Sequence, residues 1–241
     1  MKTETLTLQE NKTDLFANTS AIIVAGGSSS RMGGQNKLLL EILGVPVIAR
    51  ALLAYEGCES VGEIVIAARQ CDIADFEKIC EKYSITKLSA IVEGGATRSQ
   101  SVRNAVAAAD KKYSYLAIAD AARPLTTPEV IDRVLEQAMR HRAALCAVPV
   151  VDTVKVVNSD GFISATPDRS TLYAAQTPQI FEAELYKDAL SKAIGDFTDD
   201  CGLVESVGIK VKIAEGDPKN IKITLPCDIA IAEAILSEEK L

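Results

Sequence analysis

The stretch Ala21-Ile22-Ile23-Val24-Ala25-Gly26-Gly27-Ser28-Ser29-Ser30-Arg31-Met32-Gly33-Gly34-Gln35-Asn36-Lys37 decides the fold. Its opening run is brief, apolar and β-branched, which reads as a buried strand. The strand passes directly into glycines, serines and two cations. Bare backbone N–H groups and small hydroxyls at a strand end are what a phosphate cradle requires, and Arg31 and Lys37 add full charges to those dipoles. The spacing is neither Gly-x-x-x-x-Gly-Lys-Ser/Thr, as in a P-loop, nor the Gly-x-Gly-x-x-Gly of a dinucleotide fold. A plain glycine-serine turn after a strand is the alternative.

Outward from this stretch the same rhythm repeats. Glu63 to Ala67, Ser89 to Val92, Tyr115 to Ala119 and Leu145 to Val151 read as further buried strands. Val45 to Tyr55, Ile73 to Tyr83, Arg98 to Ala109 and Pro128 to His141 carry helical spacing, the last opened by Thr127 as N-cap and Pro128 at the first helical position. Repeated strand-helix-strand order predicts an α/β fold with a mostly parallel, doubly wound sheet, whose ligands gather beyond the carboxyl ends of the strands. After Val151 the rhythm breaks. Thr153 to Val157 and Leu172 to Ala175 are short β-like pieces around a polar stretch, so residues 151–176 are expected to form a protruding β-arm, of the kind that pairs between subunits. Helices near Glu182 to Ala193 and Asp199 to Val207, a strand at Lys210 to Ala214 and a helix from Pro226 to Leu236 follow. Residues 19–241 read as one domain behind a flexible polar tail, residues 1–18.

The chain's 241 residues carry 26 Lys+Arg against 33 Asp+Glu, a net charge of −7, which disfavours an extended nucleic-acid or anionic-membrane surface. An anionic ligand must then be met by a local cluster of cations. No apolar segment reaches the roughly 18 residues needed to span a bilayer, and the tail lacks a signal core, so a cytoplasmic protein is expected. The six cysteines form no Cys-x-x-Cys pair, and with a single histidine they read as buried reduced thiols rather than a zinc site.

Two further segments carry chemistry. Glu93-Gly94-Gly95-Ala96-Thr97-Arg98-Ser99-Gln100-Ser101 is a second strand end passing through glycines into a helix, able to bring backbone close to a flat base, or else a simple capped turn. Tyr115-Leu116-Ala117-Ile118-Ala119-Asp120-Ala121-Ala122-Arg123-Pro124 ends an apolar strand in a carboxylate, a natural ligand for Mg²⁺ that bridges to phosphates. Arg123 can instead serve as a structural fork paired with an acid.

Together these residues resemble the 2-C-methyl-D-erythritol 4-phosphate cytidylyltransferases of the non-mevalonate isoprenoid pathway. The resemblance runs from Ser20 to Leu236 and also rests on Asp152-Thr153-Val154-Lys155, Asp168-Arg169, Gln176-Thr177-Pro178-Gln179, Thr198-Asp199-Asp200 and Asn220-Ile221-Lys222-Ile223-Thr224. It implies a Rossmann-like nucleotidyltransferase fold, a homodimer, CTP as substrate and Mg²⁺ as cofactor. It further implies that Arg31, Lys37 and Lys222 are catalytic and that Asp120 binds the metal. Ala25, Gly26, Gly27, Gly94, Gly95, Ser101, Asp120 and Ala121 would line the nucleotide site. Thr153 and Arg169 of the arm, with Thr177 and Thr224, would hold methylerythritol phosphate, the arm reaching into the neighbouring subunit. Arg31, Lys37, Arg98, Arg169 and Lys222 are thus expected to converge on one cleft.

The chain departs from the family pattern at Ala96 and Ala119, where more polar residues are common, which predicts a less polar nucleotide pocket. Lys155 reads as a solvated arm residue, Thr198-Asp199-Asp200 as a helix cap, and His141 as a helix C-terminal residue without catalytic duty. Two other functions fit these motifs. One is cytidylyl transfer to ribitol 5-phosphate, against which the Asp168-Arg169-Ser170 and Asp120-Ala121-Ala122 segments speak. The other is a catalytically silent nucleotide-binding module, against which the joint presence of Arg31, Lys37, Asp120 and Lys222 speaks.

Overall fold

The computed structural model describes residues 17–27 and 36–238. The expected tail lies outside the described residues up to position 16. Ala17 and Asn18 donate backbone hydrogen bonds to the carbonyls of Glu59 and Ser60. Strand β1 (Thr19–Ala25) is flanked by β4 (Val61–Ala68) and β6 (Tyr115–Asp120), both parallel to it, and β5 (Leu88–Glu93) continues the sheet beyond β4. Between them run α1 (Val47–Glu56), α2 (Ile73–Lys82) and α3 (Arg98–Ala108). Next, α4 (Pro128–His141) leads into β7 (Ala143–Pro149), and β10 (Tyr173–Glu182) is followed by α5 (Ala183–Lys192) and α6 (Asp200–Ser206). Strand β11 (Lys212–Glu215) and helix α7 (Cys227–Glu238) complete the domain. The strand order is β11-β7-β10-β6-β1-β4-β5. Only β10 opposes the common direction, pairing antiparallel with both β6 and β7.

Helices cover both faces. On one side Ile23, Ile64 and Ile66 pack with residues of α1, α2 and α4; on the other Ile22, Val65, Leu116 and Phe181 pack with α3, α5 and α6. Alternation along β1 sends neighbours to opposite layers, so a strand buried on both faces carries the unbroken apolar run seen in the sequence. Thr127 caps α4 as expected, accepting from Val130 N–H, and His141 closes its last turn. No helix among the described residues is long and apolar enough to cross a membrane.

Three expectations change. The helix expected from Val45 starts at Val47, because Val45 and Pro46 pair with Glu41 and Ile42 as a small hairpin, strands β2 and β3. A residue before proline is pushed out of the helical region, which keeps Val45 extended. In the arm, β8 (Val156–Val157) pairs with β9 (Ile163–Ala165), not with the second expected piece. That piece belongs to β10, which continues through Thr177–Pro178, a cis bond, into the centre of the sheet. Pairing with β7 shifts between Ala175 and Gln179 to accommodate the proline, which has no N–H for the ladder.

The cysteines divide as well. Cys58, Cys80, Cys146 and Cys201 are buried, whereas Cys71 and Cys227 are exposed, so the expectation of buried thiols holds for four of the six. Burial pushes the thiols of Cys58, Cys80 and Cys146 up to about 11 and that of Cys201 higher still. Because the thiolate is the reactive form, titration of native protein with a disulfide reagent at neutral pH should count two fast thiols, Cys71 and Cys227, and release the rest only on unfolding. A larger fast count would contradict this packing.

Candidate active site

The carboxyl ends of β1, β5 and β6 open onto a cleft of about 740 Å³. This is where the strand order reverses around β1, the place where open α/β sheets bind ligands. Ala25, Gly26 and Gly27 form one lip. The turn after β5 forms another. There Ser101 Oγ accepts from Gly95 N–H at 3.1 Å and donates to the Thr97 carbonyl at 3.0 Å, while Thr97 caps α3. A Cβ at position 94 would stand 2.9 Å from Ser101 Oγ, so the close approach requires glycine there. Ser101 thus shapes the turn as well as lining the cleft. Gly94 lines an adjoining cavity of about 320 Å³ that shares Gly26, Gly95 and Ala96 with the main one.

Asp120 ends β6 at the floor, its carboxylate 2.7 Å from Lys222 Nζ and 3.9 Å from Arg123 Nε. Burial alone would raise the Asp120 pKa, but Lys222, Arg98 and Arg123 together outweigh it and hold the carboxyl below its usual value. It is therefore ionised at neutral pH. Lys37 lines the cleft and donates to the Ile223 carbonyl at 2.6 Å. Arg98 pairs with the buried Asp200 at 2.6 Å, and Asp200 also accepts from the Tyr186 phenol. Burial opposes the charge on Arg98, yet Asp200 prevails and raises its pKa.

Of the residues singled out by sequence, Ala25, Gly26, Gly27, Lys37, Gly95, Ser101, Asp120, Thr177, Lys222 and Thr224 meet around the main cleft. Arg31 lies outside the described residues. Ala121 is fully buried in the core, its N–H bonded to the Val24 carbonyl, and does not line the cleft. Thr153 and Arg169 stay on the exposed arm, where Arg169 donates to the Val151 carbonyl, so a single chain does not bring them to the cleft. Lys155 bonds Thr166 on the same exposed arm.

Ala96 borders both cavities, but Ala119 packs into the core, because strand alternation turns it away from the side Asp120 faces. It therefore leaves the polarity of the cleft surface unchanged. Arg123 is the structural fork of the alternative reading: it is buried and donates to the Asn220 and Ala175 carbonyls. Asp199 caps α6 by accepting from Gly202 N–H, as expected, whereas Asp200 serves Arg98. Gln179 had no role assigned from sequence. Its buried side chain accepts from the Asp200 and Cys201 N–H groups and donates to Asp199. The available signal was a glutamine directly before the apolar pair Ile180-Phe181.

No group of three or more histidine, cysteine or acidic residues that could hold a metal gathers among the described residues. Asp120, set amid cations, does not suit a tightly held resident ion, but it fits Mg²⁺ arriving with a phosphate ligand, since that ion is usually bound by one or two carboxylates plus phosphate oxygens and water.

The family model for 2-C-methyl-D-erythritol 4-phosphate cytidylyltransferase matches residues 19–238. The protein of that name from Caldanaerobacter subterraneus subsp. tengcongensis is 44% identical over 225 residues, covering 91% of this chain and 99% of the relative. The one from Symbiobacterium thermophilum is 44% identical over 224 residues, covering 91% and 93%. Among solved structures, the 4-diphosphocytidyl-2C-methyl-D-erythritol synthase of Anaerococcus prevotii superposes with a TM-score of 0.82 at 30% identity, covering 93% of this chain and 97% of that one. The same match extends from the glycine-lipped cleft through the arm to α7, and the chain belongs to the 2-C-methyl-D-erythritol 4-phosphate cytidylyltransferase family.

Proposed function

We propose that this chain transfers the cytidylyl group of CTP to 2-C-methyl-D-erythritol 4-phosphate in isoprenoid precursor synthesis, releasing pyrophosphate. The observation that carries this reading is the cleft itself: Lys37, Arg98 and Lys222 line it together with the ionised Asp120 carboxylate, between two glycine-bearing lips. A phosphate oxygen of the acceptor attacks the α-phosphorus, that bond forms, and the bond to the β-phosphate oxygen breaks with its electron pair leaving on pyrophosphate. The acceptor's second pKa is about 6, so its phosphate is already dianionic at neutral pH and needs no general base. Electrostatics and positioning are what the protein must supply.

Lys222 would meet charge developing at the α-phosphate, and Lys37 and Arg31 would hold the triphosphate. Asp120 would hold Mg²⁺ by one carboxylate oxygen, and the ion when bound neutralises phosphate charge. The Gly26-Gly27 and Gly94-Gly95 backbones would approach ribose and cytosine. Thr177 Oγ accepts from Asp120 N–H, which leaves its hydroxyl proton to donate into the cleft. A homodimer completes the site. Val151, Val156, Val157, Phe162 and Ile163 of the arm are exposed, an apolar surface that a second copy would cover. The arm then presents Thr153 and Arg169 to its partner's cleft. The unpaired thiols are in keeping with the cytoplasm.

Pyrophosphate release should be rapid with CTP and methylerythritol phosphate, slower with ribitol 5-phosphate, and absent with either substrate alone. Faster turnover of ribitol 5-phosphate would overturn the acceptor assignment, and tight CTP binding without release would mark a silent module. Lys222→Ala and Lys37→Ala should each slow turnover by about 10²- to 10³-fold, as expected on losing one preorganised donor. Near-normal rates in folded protein would remove both from the catalytic set. Arg169→Ala should raise KM for the sugar phosphate far more than for CTP, and sedimentation should give a dimer; an active monomer, or equal loss for both substrates, counts against the arm's role.

A further inference from the structure

Lys222 projects from a segment without regular structure, residues 216–226, between β11 and α7. No sheet ladder or helix holds that backbone in register, so its placement comes from individual hydrogen bonds, several of them to side chains. One residue dominates. Asn220 is completely buried and hydrogen-bonded at both ends of its amide: its Nδ2 donates to the Thr177 carbonyl at 2.9 Å, and its Oδ1 accepts from Thr126 Oγ at 3.0 Å. Its N–H donates to the Asp217 carbonyl, while its own carbonyl accepts from Arg123 Nη1 at 2.6 Å and from Gln176 Nε2 at 3.4 Å. On the far side of Lys222, Ile223 N–H donates to the Ala122 carbonyl. The lysine backbone is thus fixed two residues before and one after, leaving mainly its four-carbon stem free.

The partners of Asn220 are themselves parts of the cleft. Thr177, whose carbonyl Asn220 holds, accepts from Asp120 N–H, and Arg123, which holds the Asn220 carbonyl, stands beside the Asp120 carboxylate. Gln176 reinforces the loop by donating to the Asp217 carbonyl. Gly216 lets it pass, since a Cβ there would come within 2.5 Å of Gln176 Oε1 and 3.0 Å of the Ala147 carbonyl. Asn220 does not line the cleft.

We propose that Asn220 is a positioning residue for the transfer reaction: it acts through Lys222, holding that ammonium in register with Asp120 and Thr177. This rests on the catalytic role given to Lys222 above. A displaced charge loses much of its worth, and remote misplacement by about 1 Å can cost on the order of 10²-fold in rate.

The test is a double-mutant cycle on the full-length protein, with turnover and KM for both substrates measured and folding checked by thermal melting. Asn220→Ala should lower kcat on the order of 10²-fold with little change in KM for CTP. In a Lys222→Ala background the same substitution should cost almost nothing further, because residues acting as one unit are non-additive. Thr126→Val keeps the side-chain volume and removes only the hydroxyl that donates to Asn220 Oδ1 and the Arg123 carbonyl. It should show a smaller fall in kcat with the same non-additivity, and it carries the cycle if Asn220→Ala melts below the assay temperature. An equal loss in both backgrounds, or unchanged kcat in folded variants, overturns the proposal. Near-normal turnover of Lys222→Ala with Asn220 intact would instead overturn the role of Lys222 itself, an outcome visible in a different protein of the same set.

Discussion

A polar side chain buried in the middle of a sheet destabilises the fold unless it is hydrogen-bonded, by about 1–3 kcal/mol for each group left unpaired. Strand β10 places three such side chains, Gln176, Thr177 and Gln179, at the heart of this sheet. Each finds its partners in a different wall of the cleft. Gln176 ties down the loop that carries Lys222, Thr177 receives the backbone N–H of Asp120, and Gln179 closes the amino end of α6. Satisfying the strand and assembling the site are therefore the same act. This also accounts for the direction of β10: running against its neighbours, it lays its polar early residues beside the end of β6, where the parallel strands deliver Asp120.

The charge distribution follows from the same geometry. The chain is acidic overall, with 33 acids against 26 bases, yet Lys37, Arg98, Arg123 and Lys222 meet in or beside the cleft. Each is held differently. Lys37 rests on a carbonyl, Arg98 on a buried carboxylate backed by a phenol, Arg123 on two carbonyls, and Lys222 on Asp120. The bonds to Asp200 and Asn220 fix the positions of two of these cations within the fold, so little reorganisation is needed when phosphate enters. Asp120 both balances the cluster and stays ionised because of it.

Much of the fold is legible in the sequence. The apolar runs feeding Gly26-Gly27 and Asp120 are buried parallel strands, whereas the one feeding Gly94-Gly95, expected to be buried, is parallel but only half-buried because β5 lies at the edge of the sheet; Thr127 and Asp199 are the helix caps their positions suggested. The centre of β10 was not legible. Gln176-Thr177-Pro178 has the composition of a turn, and only pairing with β6 and β7, far away in sequence, carries the strand through it. Ala119 and Ala121 misled for a related reason: adjacency to Asp120 in sequence implies opposite faces in a strand, so the neighbours of a site residue are its support and not its lining.

What the sequence determined by itself is local: strand or helix from periodicity, turns and caps from glycine, proline and short polar residues, and the chemical type of each candidate group. Contacts within one turn or one strand settle those features. Which groups meet was decided by the tertiary structure alone. Lys222 reaches Asp120, Asn220 holds Thr177, and Arg98 finds Asp200 across long stretches of chain. No local pattern encodes such pairings, because they depend on the order of strands in the sheet and on the cost of leaving buried polar groups unpaired.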